Sequence, residues 1–155
     1  MSAALVLPLT EVKENGRISV DVSVSPSDFP DILDSGQLIA PVAVKGNICR
    51  KDDEAVFEGA ASGRWRLECT RCLAPVETSY AAPVEHRAPI DGGPMDLSDE
   101  VRQSIILAQP MKIHCRPDCK GLCPLCRRNR NLEDCGHAVA ESSSRPRLTV
   151  RPDKG

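Results

Sequence analysis

"CRPDCKGLCPLC", residues 115–126, carries four cysteines in twelve positions at the spacing C-x3-C-x3-C-x2-C. Thiols at that density serve as a disulfide staple, a redox centre or a metal site, and the rest of the chain has to decide among them. Four more cysteines, Cys49, Cys69, Cys72 and Cys135, bring the total to 8, and His137 lies two residues past the last. "CTRC" (Cys69 to Cys72) and "CPLC" (Cys123 to Cys126) are C-x2-C turns. Each aims two thiolates at one point, which is half of a tetrahedral site.

Compartment bears on the disulfide reading. The N-terminus MSAALVLPLT has no positive segment and its apolar run stops at Pro8, unlike a secretory signal. The longest later apolar stretch, around Ile105 to Ala108, is too short to span a bilayer. The expectation is a cytoplasmic protein with no membrane contact. In a reducing cytosol, clustered cysteines read as metal ligands or catalytic thiols rather than disulfides. Redox catalysis wants its C-x-x-C at a helix N-terminus, where the dipole lowers one thiol pKa. "CTRC" instead follows a strand-like run, Pro75 comes soon after it, and no βαβ pattern surrounds it.

Metal is left, and the donors can be counted. Seven cysteines and His137 make eight, enough for two complete zinc sites per chain. Grouped by adjacency they are Cys69, Cys72, Cys115, Cys119 and then Cys123, Cys126, Cys135, His137. The first group would tie a sheet to a segment after a helix; the second would be a local knuckle. Spacing leaves two alternatives open: one site with the remaining thiols free, or partners swapped between the sites. His86 and His114 are further candidate ligands but read first as surface histidines, Glu133 and Asp134 as surface beside the second group, and Cys49 as a small core residue. No phosphate loop, nucleophile elbow or small-molecule site is apparent, so the expectation is not an enzyme.

Around the cysteines the pattern is mainly of strands. "GRISVDVSVS" alternates Ile18, Val20, Val22 and Val24 with polar residues, the period of a half-buried strand. "SPSDFPDILDSG" predicts a short helical turn capped by Ser25 or Ser27 and stopped by Gly36. In "QLIAPVAVKGNICRK", Pro41 predicts an edge strand or a bulge. "AVFEGAASGRWRLEC" and "APVETSYAAPVEH" predict two more strands. "DLSDEVRQSIILAQP" reads as a helix capped by Asp96 or Ser98, with a stripe of Leu97, Val101, Ile105 and Ala108 widened by Ile106 and Leu107. Aromatics are only 3% of the chain, so the core must be built mainly from Val, Ile, Leu and Ala. The predicted fold class is α+β: a small antiparallel sheet or open barrel, one or two helices, and a zinc-ribbon-like cysteine-rich end. The expected organisation is a β-rich domain over 1–110 with its helix near 96–109, a zinc-binding segment over 111–137 and a flexible tail over 138–155.

Charge divides along the same line. Residues 1–110 carry 10 Lys+Arg against 17 Asp+Glu, a balance of −7. Residues 111–155 carry 10 against 5, a balance of +5. A basic cysteine-rich end suits phosphate, and Lys112, Arg116, Lys120, Arg127, Arg128 and Arg130 are the candidate nucleic-acid contacts. No aromatic residue lies in 111–155, which disfavours base stacking and favours shape and phosphate contacts. The acidic remainder suits a basic protein partner.

Three stretches taken in order, "LECTRCLAP", "MDLSDEVRQSIILAQPMKIHC" and "CKGLCPLCRRNRNLEDCGH", resemble the YceD family of bacterial and plastid proteins, named for accumulation of the 23S RNA of the large ribosomal subunit. The resemblance covers roughly residues 60–137. It implies a role in 23S ribosomal RNA production or large-subunit assembly, with that RNA, its precursor or a large-subunit ribosomal protein as partner, and no enzymatic activity. All the cysteines but Cys49 match the family pattern. Arg127 stands where the family usually has Gly, and His137 where a final Cys is common. The alternatives are a protein-binding adaptor acting on RNA only indirectly, and a thiol oxidoreductase.

Overall fold

A computed structural model describes residues 3–137; the tail expected over 138–155 lies outside the described residues. In chain order the elements are β1 (Val6–Leu7), α1 (Thr10–Asn15), β2 (Arg17–Val24), β3 (Gly36–Leu38), β4 (Val42–Lys51), β5 (Glu54–Glu68), β6 (Pro75–Pro89), β7 (Met95–Asp96) and α2 (Ser98–Ala108). The fold is thus mostly antiparallel sheet with two helices.

Strands β2, β4, β5 and β6 follow one another as antiparallel neighbours, and β3 pairs with the far end of β5 beyond the reach of β4. The sheet does not close into a barrel. β5 and β6 are its backbone, paired over fifteen residues from Glu54↔Pro89 to Glu68↔Pro75. Their alternation sends Phe57, Ala61, Trp65 and Leu67 of β5 and Tyr80, Ala82 and Val84 of β6 to one buried face. Pro75, Pro83 and Pro89 are even numbers of residues apart, so one edge of β6 carries every missing N–H donor. The β5 ladder tolerates them because that edge faces away from it.

The buried face is covered by α2, by Leu97 before it, and by Leu5, Leu9 and Val12 from the N-terminal segment. α2 begins where Asp96 Oδ1 accepts the Ser98 N–H at 2.9 Å. The Ser98 hydroxyl beside it and the Ser98 N–H hold the Asp96 carboxyl below its usual pKa. Leu97, Val101 and Ile105 are fully buried, one helical turn apart. The widening of that stripe does not hold. Ile106 and Leu107 are 43% and 84% exposed, because this short helix turns its Leu97, Val101 and Ile105 line to the sheet and these two positions lie off it. His86 is not a free surface residue: its Nδ1 meets Glu100 Oε1 at 2.7 Å and links β6 to α2.

Other expectations shift in place. Ser25 Oγ accepts the Ser27 N–H and caps a 3-10 turn over Pro26–Asp28. Pro41 makes neither an edge strand nor a bulge; it separates β3 from β4, and β4 is internal, between β2 and β5. Gly36 opens β3 instead of stopping a helix. A Cβ there would lie 2.5 Å from the Arg66 carbonyl oxygen, so only glycine allows this approach. Cys49 sits half-buried, paired between Arg17 and Val56, and is not part of the core. The elements α1, β1 and β7 were not anticipated.

Gly46 and Gly59 face each other across β4 and β5, and the Phe57 ring lies over both. A Cβ on Gly59 would come 2.7 Å from Phe57 Cζ and press on the Lys45 carbonyl. Gly59→Ala is therefore expected to lose about 1–3 kcal/mol by overpacking. Urea unfolding of the full chain measures this, and an unchanged midpoint would contradict it.

Candidate metal centres

The first C-x2-C turn is the loop of the β5–β6 hairpin. Just past the last ladder pair, the Cys69 N–H donates to the Ala74 carbonyl at 2.8 Å and the Leu73 N–H to the Cys69 carbonyl at 2.9 Å. Leu73 takes a left-handed conformation, φ 60°. "CPLC" repeats the same build. The Cys123 N–H donates to the Arg128 carbonyl at 2.8 Å, the Arg127 N–H to the Cys123 carbonyl at 2.8 Å, and Arg127 has φ 59°. The two knuckles thus share one backbone form, in which the residue after the second cysteine must turn left-handed.

Past α2 the chain returns to the hairpin loop. The Thr70 N–H and Oγ1 both donate to the Ile113 carbonyl, at 2.8 and 3.1 Å, and Arg71 Nη1 donates to the Cys119 carbonyl at 3.0 Å. These bonds bring Cys115 and Cys119 onto Cys69 and Cys72. Their four sulfurs lie within 4.8 Å of one another, with Cys69 to Cys119 at 3.8 Å and Cys72 to Cys115 at 3.5 Å. A tetrahedron with metal–sulfur arms of about 2.3 Å has edges of about 3.8 Å. A disulfide needs about 2.05 Å, and all eight cysteines are free.

The second group is local. Cys123, Cys126, Cys135 and His137 place their donor atoms within 4.8 Å, and His137 presents Nδ1 3.7 Å from Cys123 Sγ. Arms of about 2.3 Å to sulfur and 2.05 Å to nitrogen give an edge of about 3.6 Å. Gly136 is left-handed (φ 67°) between the last two donors, and its N–H donates to Asp134 Oδ1 at 3.1 Å. Each group could therefore hold one metal ion. Cys49, His86 and His114 belong to neither.

Electrostatics divides the thiols of each group. Burial opposes a charge on Cys69, but N–H groups of Cys72, Arg71 and Cys115 outweigh it and bring its pKa to about 6. N–H groups of Cys126 and Leu125 do the same for Cys123, against burial, also to about 6. For Cys119, burial is overcome chiefly by the Asn131 amide, whose Nδ2 donates to Sγ at 3.3 Å. The Ala74 N–H favours a Cys72 thiolate, yet burial and the neighbouring thiols push it up to about 12. Cys135 is likewise raised by its neighbours despite the His137 N–H. Thiols this close cannot all carry charge unless a cation sits among them, which is the chemistry of a metal site.

Two residues that the sequence reading passed over bind the groups together. Asn131 reaches Cys119, accepts the Lys120 N–H at 2.8 Å and bonds Asn129, so the second group's loop braces a donor of the first. Arg71 accepts the Leu122 N–H at 3.1 Å on its carbonyl and holds Cys119 with its guanidinium. Nothing in the spacing marks either one. Of the candidate cations, Lys112, Arg116, Lys120, Arg127 and Arg128 are exposed and Arg130 is half-buried. Arg128 faces Glu133 at 3.4 Å. No helix of the described residues is long and apolar enough to cross a membrane.

The left-handed Arg127 is strained where glycine would not be. Arg127→Gly is expected to stabilise the chain by about 1 kcal/mol in thermal unfolding; destabilisation would contradict the knuckle geometry. The Cys72 shift sets the sign with pH. A metal entering the first group displaces a proton that the thiol holds near neutrality, so affinity should rise with pH between about 6 and 8. Competition titration with a chromophoric chelator measures it, and a flat profile would contradict it.

No curated protein and no solved structure matches the chain. Residues 83–150 match the family model described as Large ribosomal RNA subunit accumulation protein YceD, so over that stretch the chain is matched to the family that its cysteine motifs resemble.

Proposed function

We propose that the chain is a zinc-stabilised, non-enzymatic factor acting in 23S ribosomal RNA accumulation or large-subunit assembly, and that its cysteine-rich end contacts the RNA or its precursor. The observation that carries this reading is the run of cations among the donors of residues 111–137, exposed at Lys112, Arg116, Lys120, Arg127 and Arg128, within a segment matched to a ribosomal RNA accumulation family. In this reading Cys69, Cys72, Cys115 and Cys119 hold one zinc ion, and Cys123, Cys126, Cys135 and His137 a second. All-thiolate and thiolate–imidazole donor sets suit zinc, and no donor position is left open for a substrate. The ions fix the backbone on which Arg127, Arg128 and Arg130 stand.

Charge supports contact with phosphate only locally. Seven thiolates and two dications take the formal charge from −2 to −5, so attraction depends on the cations of the knuckles and not on the whole molecule. Lys112, Arg116 and Lys120 complete the proposed surface. Replacing Arg127, Arg128 and Arg130 together by Gln should flatten the salt dependence of RNA binding by about 2–3 units of slope, since each phosphate contact contributes about 0.7–0.9. Metal content should not change, because none of the three is a donor. Binding across a salt series, with 23S RNA measured in cells, is the test. Unaltered affinity and unaltered 23S RNA would reject the basic end as the contact and favour an adaptor that binds a ribosomal protein.

A further inference from the structure

The far end of the sheet carries a feature that neither metal nor RNA uses. Beside the first knuckle, a cavity of about 350 Å³ is walled by Leu67, Ile106, Pro110, Met111 and Ile113, with Asp34 and Glu68 at its rim. A second, of about 280 Å³, shares the wall of Leu67 and Glu68 and adds Leu73, Pro75 and Arg66, whose guanidinium is paired with Glu77. Together they follow the segment from Asp34 to Gln37 along the edge of the sheet. Apolar side chains stand open here: Met111 is 98% exposed, Leu73 57% and Ile106 43%. Exposed apolar residues gathered around a concavity mark interaction sites, whereas scattered ones need no explanation.

The rim specifies the partner. No lysine or arginine lines the first cavity. Asp34 and Glu68 are exposed, and neither has a cationic partner among the described residues. Carboxylates that are left uncompensated at the mouth of an apolar groove repel phosphate and attract lysine or arginine. We propose that this groove docks a basic protein segment, which places a large apolar side chain in the cavity against Met111 and Ile106 and flanking cations on Asp34 and Glu68. The segment thereby meets the acidic body, while the cations of the knuckles remain free. The proposal does not rest on the RNA reading.

The full chain, with isoleucine and methionine methyl groups labelled, is titrated by NMR with a short synthetic peptide of one leucine flanked by lysines. Controls replace the leucine by serine, or the lysines by glutamates. The methyl signals of Ile106, Met111 and Ile113 should shift with the first peptide, and either control should weaken binding about tenfold or more, as expected when an anchor or its charge partner is lost. Met111→Glu and Asp34→Lys should each have a similar effect. Both positions are exposed, so an otherwise unchanged spectrum verifies folding. Binding should survive loss of Arg127, Arg128 and Arg130. The proposal is overturned if the peptides leave these methyls unmoved, if both variants bind as the parent does, or if an RNA hairpin shifts the same methyls and displaces the peptide.

Discussion

The four sulfurs of Cys69, Cys72, Cys115 and Cys119 gather where the hairpin loop meets the segment beyond α2, and that segment has little apolar surface of its own. Beyond α2 the described chain has no helix and no strand, only an isolated bridge between Leu122 and Asn129. Over residues 111–137 the buried positions are Cys119, Gly121 and Cys123, while Leu125 and Leu132 stand in solvent. The small cluster around Cys69, Cys72 and Cys119 adds only Ala74, Val76 and Leu122. A segment of this length cannot offset its conformational entropy by hydrophobic burial, and small units in that position use metal or disulfide cross-links. Ligation at this group would tie Cys72 to Cys115, more than forty residues later in the chain, at a place where the segment beyond α2 has little apolar packing of its own.

The same constraint accounts for the division of labour in the fold. The fifteen-residue hairpin of β5 and β6 carries the first pair of thiols at its tip, and α2 delivers the second pair after packing on the buried face. Each element is held by an ordinary apolar core, so the first group is positioned from a rigid body. The second group hangs from the first through Asn131, Arg71 and the Gly121 carbonyl, which accepts the Arg130 N–H at 3.0 Å. In the proposed function this hierarchy carries order from the sheet out to the arginines.

Much of this was legible because the signals were local. Alternation in β2, β5 and β6 and the i, i+4 line of α2 depend on near neighbours, and so does the C-x2-C spacing. The four atoms of each candidate group come together in the order in which their pairs occur along the chain, which is the order the sequence displays. What escaped depended on distant partners. The six-residue α1 offers too short a pattern to read, and β1 and β7 exist only because Val6 pairs with Asp96 and Leu7 with Met95. Pro41 looked like an edge residue because sequence does not tell which strands flank a strand. Arg127 looked like a departure from the family pattern. The structure has it take up the left-handed turn that Leu73 takes in the first knuckle, at some conformational cost.

Two metal ions, one in each group of donors, would hold the cysteine-rich end to the sheet. Native mass spectrometry of the full chain, purified under reducing conditions without added metal, measures that occupancy directly. A folded species heavier than the polypeptide by two zinc ions is expected, reverting to bare chain with a disordered cysteine-rich end when a strong chelator is added. A folded chain that carries no metal and keeps the order of residues 111–137 in chelator would contradict it.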